Sequence, residues 1–110
     1  MRLLIAAIAL SLATACSKPA PELKIADILT DPSLYEEQTV ELSGEVTDAI
    51  GLFSTGLYTL ADETGEMNVL TTAGLPAKGA KVTVRGTVLS GVTVAGKHYG
   101  VTLNEQERGR

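Results

Sequence analysis

Thr39-Val40-Glu41-Leu42-Ser43-Gly44-Glu45-Val46-Thr47 alternates without a break. Val40, Leu42, Gly44 and Val46 fall on one face and Thr39, Glu41, Ser43, Glu45 and Thr47 on the other, the period of two that defines a half-buried β-strand. The same period recurs downstream. Leu57 to Ala61 reads as a second strand with Tyr58 and Leu60 inward, Asp62-Glu63-Thr64-Gly65 as a turn, and Met67, Val69 and Thr71 as the inward set of a third strand. Val82, Val84, Gly86 and Val88 make a fourth, bounded before by Pro76 and Gly79. Val92-Thr93-Val94, a turn at Ala95-Gly96 and His98 to Leu103 supply a last hairpin, with Tyr99, Val101 and Leu103 facing inward. Gly44 and Gly86 lie inside strand patterns, where glycine marks bulges or sharp bends. Five short strands, bent in the first and fourth, predict an all-β chain closed into a small barrel, because closure removes exposed edges.

Upstream the period changes. Ile25, Ile28 and Leu29 sit at helical spacing, Asp31-Pro32-Ser33 breaks the chain, and Leu34 to Gln38 allows one more turn with Pro32 near its start. Two short helical turns are expected, packed on the domain by Ile28, Leu29 and Tyr35. The whole chain has 110 residues, enough for one domain. One Cys and one His exclude an internal disulfide framework and a closed His/Cys zinc site.

The first 15 residues stand apart, since 12 of them are hydrophobic and Arg2 is their only charge. A short positive start, an apolar run from Leu3 to Leu12 and the small residues Ala13-Thr14-Ala15 form the layout of a secretory signal peptide. A run of about ten residues at ~1.5 Å rise covers half of a ~30 Å hydrocarbon core, too little to remain as a span. Ala13-Thr14-Ala15-Cys16 resembles the lipobox of bacterial lipoproteins, with Ala13 where that family usually has Leu. The resemblance implies that Cys16 is acylated and becomes the new N-terminus, anchored in a membrane by its acyl chains. Ser17 after the Cys implies, by the same family's sorting, the periplasmic side of the outer membrane. Ala-Thr-Ala also suits ordinary signal cleavage at the same bond, which would leave a soluble periplasmic protein. Ser17 to Glu22, with Pro19 and Pro21, reads as an extended tether. The expected organisation is a signal peptide over 1–15, a lipidated Cys and tether over 16–24, the barrel over 25–104 and a polar tail over 105–110.

Taken in order, Val40-x-Leu42-x-Gly44-x-Val46, Tyr58-x-Leu60-x-Asp62-x-Thr64-Gly65 and Pro76-x-x-Gly79-x-x-Val82-x-Val84-x-Gly86-x-Val88 resemble the OB-fold of the tRNA-anticodon-like nucleic-acid-binding group. The similarity runs from Ile25 to Leu103. It implies a five-stranded Greek-key barrel whose binding face is strands two and three with their flanking loops. The helix usual between strands three and four is reduced here to Thr72–Ala80 or is absent.

Catalytic groups are scarce. Asp62, Glu63 and Glu66 surround one turn, but their spacing matches no metal loop, and turn formers on a solvated hairpin explain them. The single His offers one candidate base with nothing to fix it, so no enzymatic activity and no cofactor are expected. Lys97-His98-Tyr99 is faintly similar to the haem-handling strand end of the periplasmic haem chaperone of cytochrome c maturation, which keeps a cofactor-chaperone alternative using His98. Alternation alone places His98 on an outward strand face.

Charge is segregated. Glu22 to Glu66 holds 11 acids and one base, Lys24, whereas Met67 to Leu103 holds Lys78, Lys81, Arg85 and Lys97 with no acid. The basic residues read either as one side of an unevenly charged, solvated barrel or as a strip for an anionic envelope ligand. Nucleic-acid OB-folds stack bases on aromatics. Only Tyr35, Phe53, Tyr58 and Tyr99 are present, and Phe53, in Gly51-Leu52-Phe53-Ser54-Thr55-Gly56, is the candidate exposed platform. The expected function is a non-catalytic, membrane-anchored binding module of the bacterial envelope. Its candidate contacts are Leu52, Phe53, Tyr58, Lys78, Lys81 and Arg85, with Cys16 as lipidation site. Single-stranded nucleic acid or oligosaccharide is the remaining alternative, and export with net acidity opposes nucleic acid.

Overall fold

The computed structural model describes residues 20–52, 54–94 and 96–109. The signal segment, Cys16 and Phe53 lie outside the described residues. Two short helices, α1 (Ile25–Thr30) and α2 (Pro32–Tyr35), precede seven strands. These are β1 (Thr39–Leu52), β2 (Thr55–Asp62), β3 (Gly65–Thr71), β4 (Lys81–Leu89), β5 (Val92–Val94), β6 (Lys97–Tyr99) and β7 (Thr102–Gly109). Five strands close a barrel in the order β1-β2-β3-β7-β4, while β5 and β6 form a separate hairpin. The all-β closed barrel expected from the alternation is the fold observed.

The inward sets agree with the sequence pattern. Val40, Leu42, Val46, Tyr58, Leu60, Met67, Val69, Val82, Val84, Val88 and Leu103 join Ile25 and Ile28 in one buried cluster. Bends fall where the glycines are. A Cβ at Gly44 would drive into the Ala61 carbonyl oxygen, and one at Gly86 into that of Asn104. The strands can cross this closely only where no side chain intervenes. Gly86 also adjoins a register shift between Arg85 and Gly86, and β1 has another between Val46 and Asp48.

Four expectations are corrected. Residues 105–109 are not a tail: they complete β7, which pairs with β3 and β4 and closes the barrel. Its polar sequence has no alternation to betray it. His98 and Tyr99 belong to the β5–β6 hairpin, with Val92 opposite Tyr99 and Thr93 opposite His98, so the last barrel strand begins at Thr102. Leu29 is 41% exposed rather than packed, because α1 turns Ile25 and Ile28 inward. The tether is shorter than expected, since the Leu23 N–H donates to the Glu41 carbonyl and the Glu41 N–H to that of Pro21. The segment thereby occupies the flank of β1 that β2 does not reach.

Between β3 and β4 the chain forms no helix. Leu75 lies instead against Gly51 and Gly56, which face each other across β1 and β2. Gly79, at φ 92°, turns its N–H onto the Val46 carbonyl at 2.7 Å and ties this loop to the bend of β1. Gly86→Ala is expected to cost about 1–3 kcal/mol by forcing β4 off β7. Gly109→Ala, with open space around its Cβ, is expected to leave the urea midpoint unchanged, and equal midpoints for the two variants would contradict the close-approach argument.

Candidate functional site

The outward residues of β1, β2 and β3 line up in three rows. Because Val46, Ala49, Tyr58, Leu60, Met67 and Val69 turn toward the interior, their sequence neighbours turn away from it. Cross-strand register then sets Glu45 beside Ala61 and Glu66, Asp48 beside Thr59 and Asn68, and Ile50 beside Leu57 and Leu70. The shift between Val46 and Asp48 keeps Ala49 inward and aims Asp48 and Ile50 outward. The face therefore grades from acidic through amide and hydroxyl to apolar. Thr59 and Asn68 hydrogen-bond each other at 3.3 Å. Leu57, in the middle of the apolar row, is only 4% exposed although it lies outside the interior cluster, and Ile50 at its edge is 46% exposed.

The OB-fold resemblance pointed to strands two and three, and the sequence alone did not show this row. Leu57 was visible as a strand residue, yet only the pairing sets it between Ile50 and Leu70 in one row. Leu52 ends β1 opposite Thr55.

The remaining candidate residues are dispersed. Tyr58 points inward and is 1% exposed, so it supports the face from beneath and is corrected as a contact. Its hydroxyl donates to Glu105 at 2.6 Å, Thr71 donates to the other Glu105 oxygen at 2.8 Å, and Arg108 Nη1 donates to both at 3.1 and 3.2 Å. Arg108 also donates to the Gly74 carbonyl and sits 5.7 Å from the Tyr58 ring centroid. The Glu105 side chain is 2% exposed, so this is a buried carboxylate with every oxygen satisfied. Burial, then the hydrogen bond to Glu105, pushes the Tyr58 phenol well above its ordinary pKa, with Arg108 opposing.

Lys78 is exposed in the β3–β4 loop, and Lys81 opens β4 opposite Glu45. Arg85 has Glu41 as its strand neighbour on one side and Glu107 on the other, pairing with Glu107 at 3.7 Å. The basic strip is thus interleaved with acids from β1 and β7, which the linear sequence kept apart. A groove of about 660 Å³ runs beside it, lined by Lys24, Ser43, Glu45, Glu63, Lys81 and Thr83 among others, with both signs of charge on its rim. His98 is exposed, with its Nδ1 3.4 Å from the Thr93 hydroxyl.

The Asp62 turn is a structural device. Its carboxylate accepts the Thr64 hydroxyl at 2.6 Å and the backbone N–H groups of Thr64, Gly65 and Ile25 at 2.7, 3.1 and 2.9 Å. Thr64 Oγ1 accepts the Ala26 N–H. Two of the N–H groups that open α1 are thereby satisfied by the β2–β3 turn. Partial burial works to raise the Asp62 pKa, but hydrogen bonds from Thr64, Ile25 and Gly65 outweigh it and hold the carboxyl below its usual range. Glu63 pairs with Lys24 at 2.9 Å, lowering its own pKa and raising that of the lysine. Among the described residues, no group of three or more His, Cys, Asp or Glu is placed to hold a metal ion.

No protein-family model matches the sequence, and no curated protein matches it either. Solved structures do. A Leishmania major Friedlin protein described as an aspartyl-tRNA synthetase superposes with TM-score 0.64 at 14% identity, over 84% of this chain and 21% of that one. Asparaginyl-tRNA synthetase from Pyrococcus horikoshii gives 0.62 at 14%, over 79% and 22%. OBody AM3L09, bound to hen egg-white lysozyme, gives 0.64 at 17%, over 83% of this chain and 94% of its own. The chain spans about a fifth of the length of either synthetase. At these identities the likeness establishes the fold, and the barrel is an OB-fold.

Arg108→Met is expected to destabilise the protein by about 3–5 kcal/mol, because it leaves the Glu105 carboxylate buried without its cation. Adding Glu105→Gln should restore part of the loss; urea unfolding of the single and double variants measures both. Since the folded Asp62 pKa lies below the unfolded one, its contribution is complete above the ordinary carboxylate range and disappears as pH falls through the folded value. Asp62→Ala should cost about 1 kcal/mol at pH 7, like a lost helix cap. Melting curves should show the gap to the wild type narrowing below pH 4.

Proposed function

We propose that the chain is a non-catalytic protein-binding module, held at a membrane of the bacterial envelope through a lipidated Cys16. Its contact surface is the outer face of β1, β2 and β3 with the β1–β2 loop at Leu52 and Phe53. The observation that carries the reading is the outer row Ile50, Leu57 and Leu70. Leu57 is already covered while Ile50 is 46% exposed and Leu70 half-buried, so the row presents apolar surface outside the interior cluster. Burying the exposed parts of Ile50 and Leu70 against a partner stabilises a complex in proportion to the apolar area removed from water, about 25 cal/mol per Å² before association costs.

Polyanions fit this face poorly. No Lys, Arg or His occurs between Lys24 and Lys78, a stretch that supplies all of β1, β2 and β3. Nucleic-acid binding draws its affinity from cations against phosphates and its stacking from exposed aromatics, whereas the one described aromatic of these strands, Tyr58, faces inward. That an OB-fold barrel is found bound to lysozyme in OBody AM3L09 is consistent with a protein as occupant.

Anchoring rests on the apolar run ending at Ala13-Thr14-Ala15-Cys16. Mass spectrometry of the membrane-extracted protein should find an N-terminal acylated Cys16, and an intact Met1 or an unmodified Cys16 would refute the anchor. Ile50→Ser, or Leu52→Ser with Phe53→Ser, should lower retention of the protein's envelope partners at least tenfold in crosslinked pull-downs. Unchanged retention in both variants would remove this face as the site.

A further inference from the structure

We infer that the occupant of this face is a cationic protein segment in which an apolar anchor is followed within two to four residues by Lys or Arg. The inference rests on the proposed use of the face and adds the chemistry of its partner. Three features of the outer surface lead to it.

The rows are ordered. Glu45 and Glu66 flank Ala61, Asp48 begins the next row beside Thr59 and Asn68, and Ile50, Leu57 and Leu70 make the third. A two-residue step along a strand is about 7 Å. Carboxylates thus lie about 7 and 13 Å from the apolar row, distances an extended segment covers in two and four residues.

Their charge is uncompensated within the sheet. In register, Asp48 faces Thr59 and Glu66 faces Ala61, so neither has a cationic neighbour on the adjoining strand. Several other acids of the barrel strands and the β2–β3 turn do have a cation beside them: Glu63 has Lys24, Glu107 has Arg85, Glu105 has Arg108, and Glu45 has Lys81 on β4. Asp48 and Glu66 are exposed and share the outer face with the apolar row, and the Asp48 carboxylate accepts the N–H of the neighbouring Ala49.

The middle row supplies the rest. Thr59 and Asn68 offer a hydroxyl and an amide between anchor and charge, groups that hydrogen-bond to a peptide backbone without selecting its sequence. Apolar contact then gives affinity and the acids give charge selection and a faster encounter, the usual division of labour at an interface.

The test uses the full chain and three fluorescein-labelled nonapeptides that share one Leu-x-Leu anchor, followed by two Arg, two Ser or two Glu. Fluorescence anisotropy at low salt should rank them Arg over Ser over Glu, with Arg about fivefold tighter than Ser, the size of two partly screened ion pairs. The Arg preference should vanish in Asp48→Asn with Glu66→Gln and persist in Glu22→Gln with Glu37→Gln, a control of equal charge change off the face. Ile50→Ser should weaken the Arg and Ser peptides alike. Equal binding of Arg and Ser peptides, both weakened by Ile50→Ser, overturns the charge inference and leaves the face as a binding site. Insensitivity to Ile50→Ser overturns both readings, as does an absence of binding by all three peptides up to millimolar concentration. Tighter binding of a labelled oligothymidylate that displaces the Arg peptide assigns the face to nucleic acid and overturns the inference too.

Discussion

A single strand of 14 residues has to pair with two neighbours on different sides of the barrel, and Gly44 is where it turns from one to the other. Thr39 to Glu45 run beside β4 and Glu45 to Leu52 beside β2, so Glu45 is paired on both flanks. The turn brings the Ala61 carbonyl so close to Gly44 that no Cβ fits between them. Closure of the barrel depends on that approach and on its counterpart at Gly86, and so does every cross-strand row on the outside. The order of acid, amide and apolar residues on the outer face follows from where β1 bends and where its register shifts.

Most of the barrel was legible because its strands obey a strict period. Val82 to Val88 alternate over four inward positions, and all four are buried. The closing strand was illegible for a physical reason: at Glu105 the interior position is taken by a charge. A carboxylate can occupy such a place only when its oxygens are satisfied, and the donors come from Tyr58, Thr71 and Arg108. Two of them lie on other strands, so hydropathy along the chain cannot signal the arrangement. The same network explains why Tyr58 read as a candidate contact. It is an aromatic on the face-forming strand, but its hydroxyl is directed to the buried glutamate.

Charge segregation along the sequence proved to be charge complementarity in space. Arg85 comes from the stretch without acids, yet the fold sets it between Glu41 and Glu107. Counting residues along a chain reports which segments differ, whereas antiparallel pairing decides whether those differences meet. Lys24 and Glu63 give a second case, with a 2.9 Å contact between residues far apart in sequence. What remains unmatched after pairing carries more information about a partner than the net charge does.

The two ends of the barrel are sealed by different means. Ile25 and Ile28 of α1 are buried in the interior cluster, with the helix start held by Asp62 and Thr64. At the opposite end a loop takes the place of a helix, Leu75 lying on Gly51 and Gly56 while Arg108 holds the Gly74 carbonyl. A loop seated by one leucine and one guanidinium covers the opening of the barrel without spreading across the sheet. The apolar row at Ile50, Leu57 and Leu70 lies outside the interior cluster, although Leu57 itself is buried. What the row leaves at the surface is Ile50 and part of Leu70, on the same face as Asp48 and Glu66, whose neighbours on the adjoining strand carry no charge.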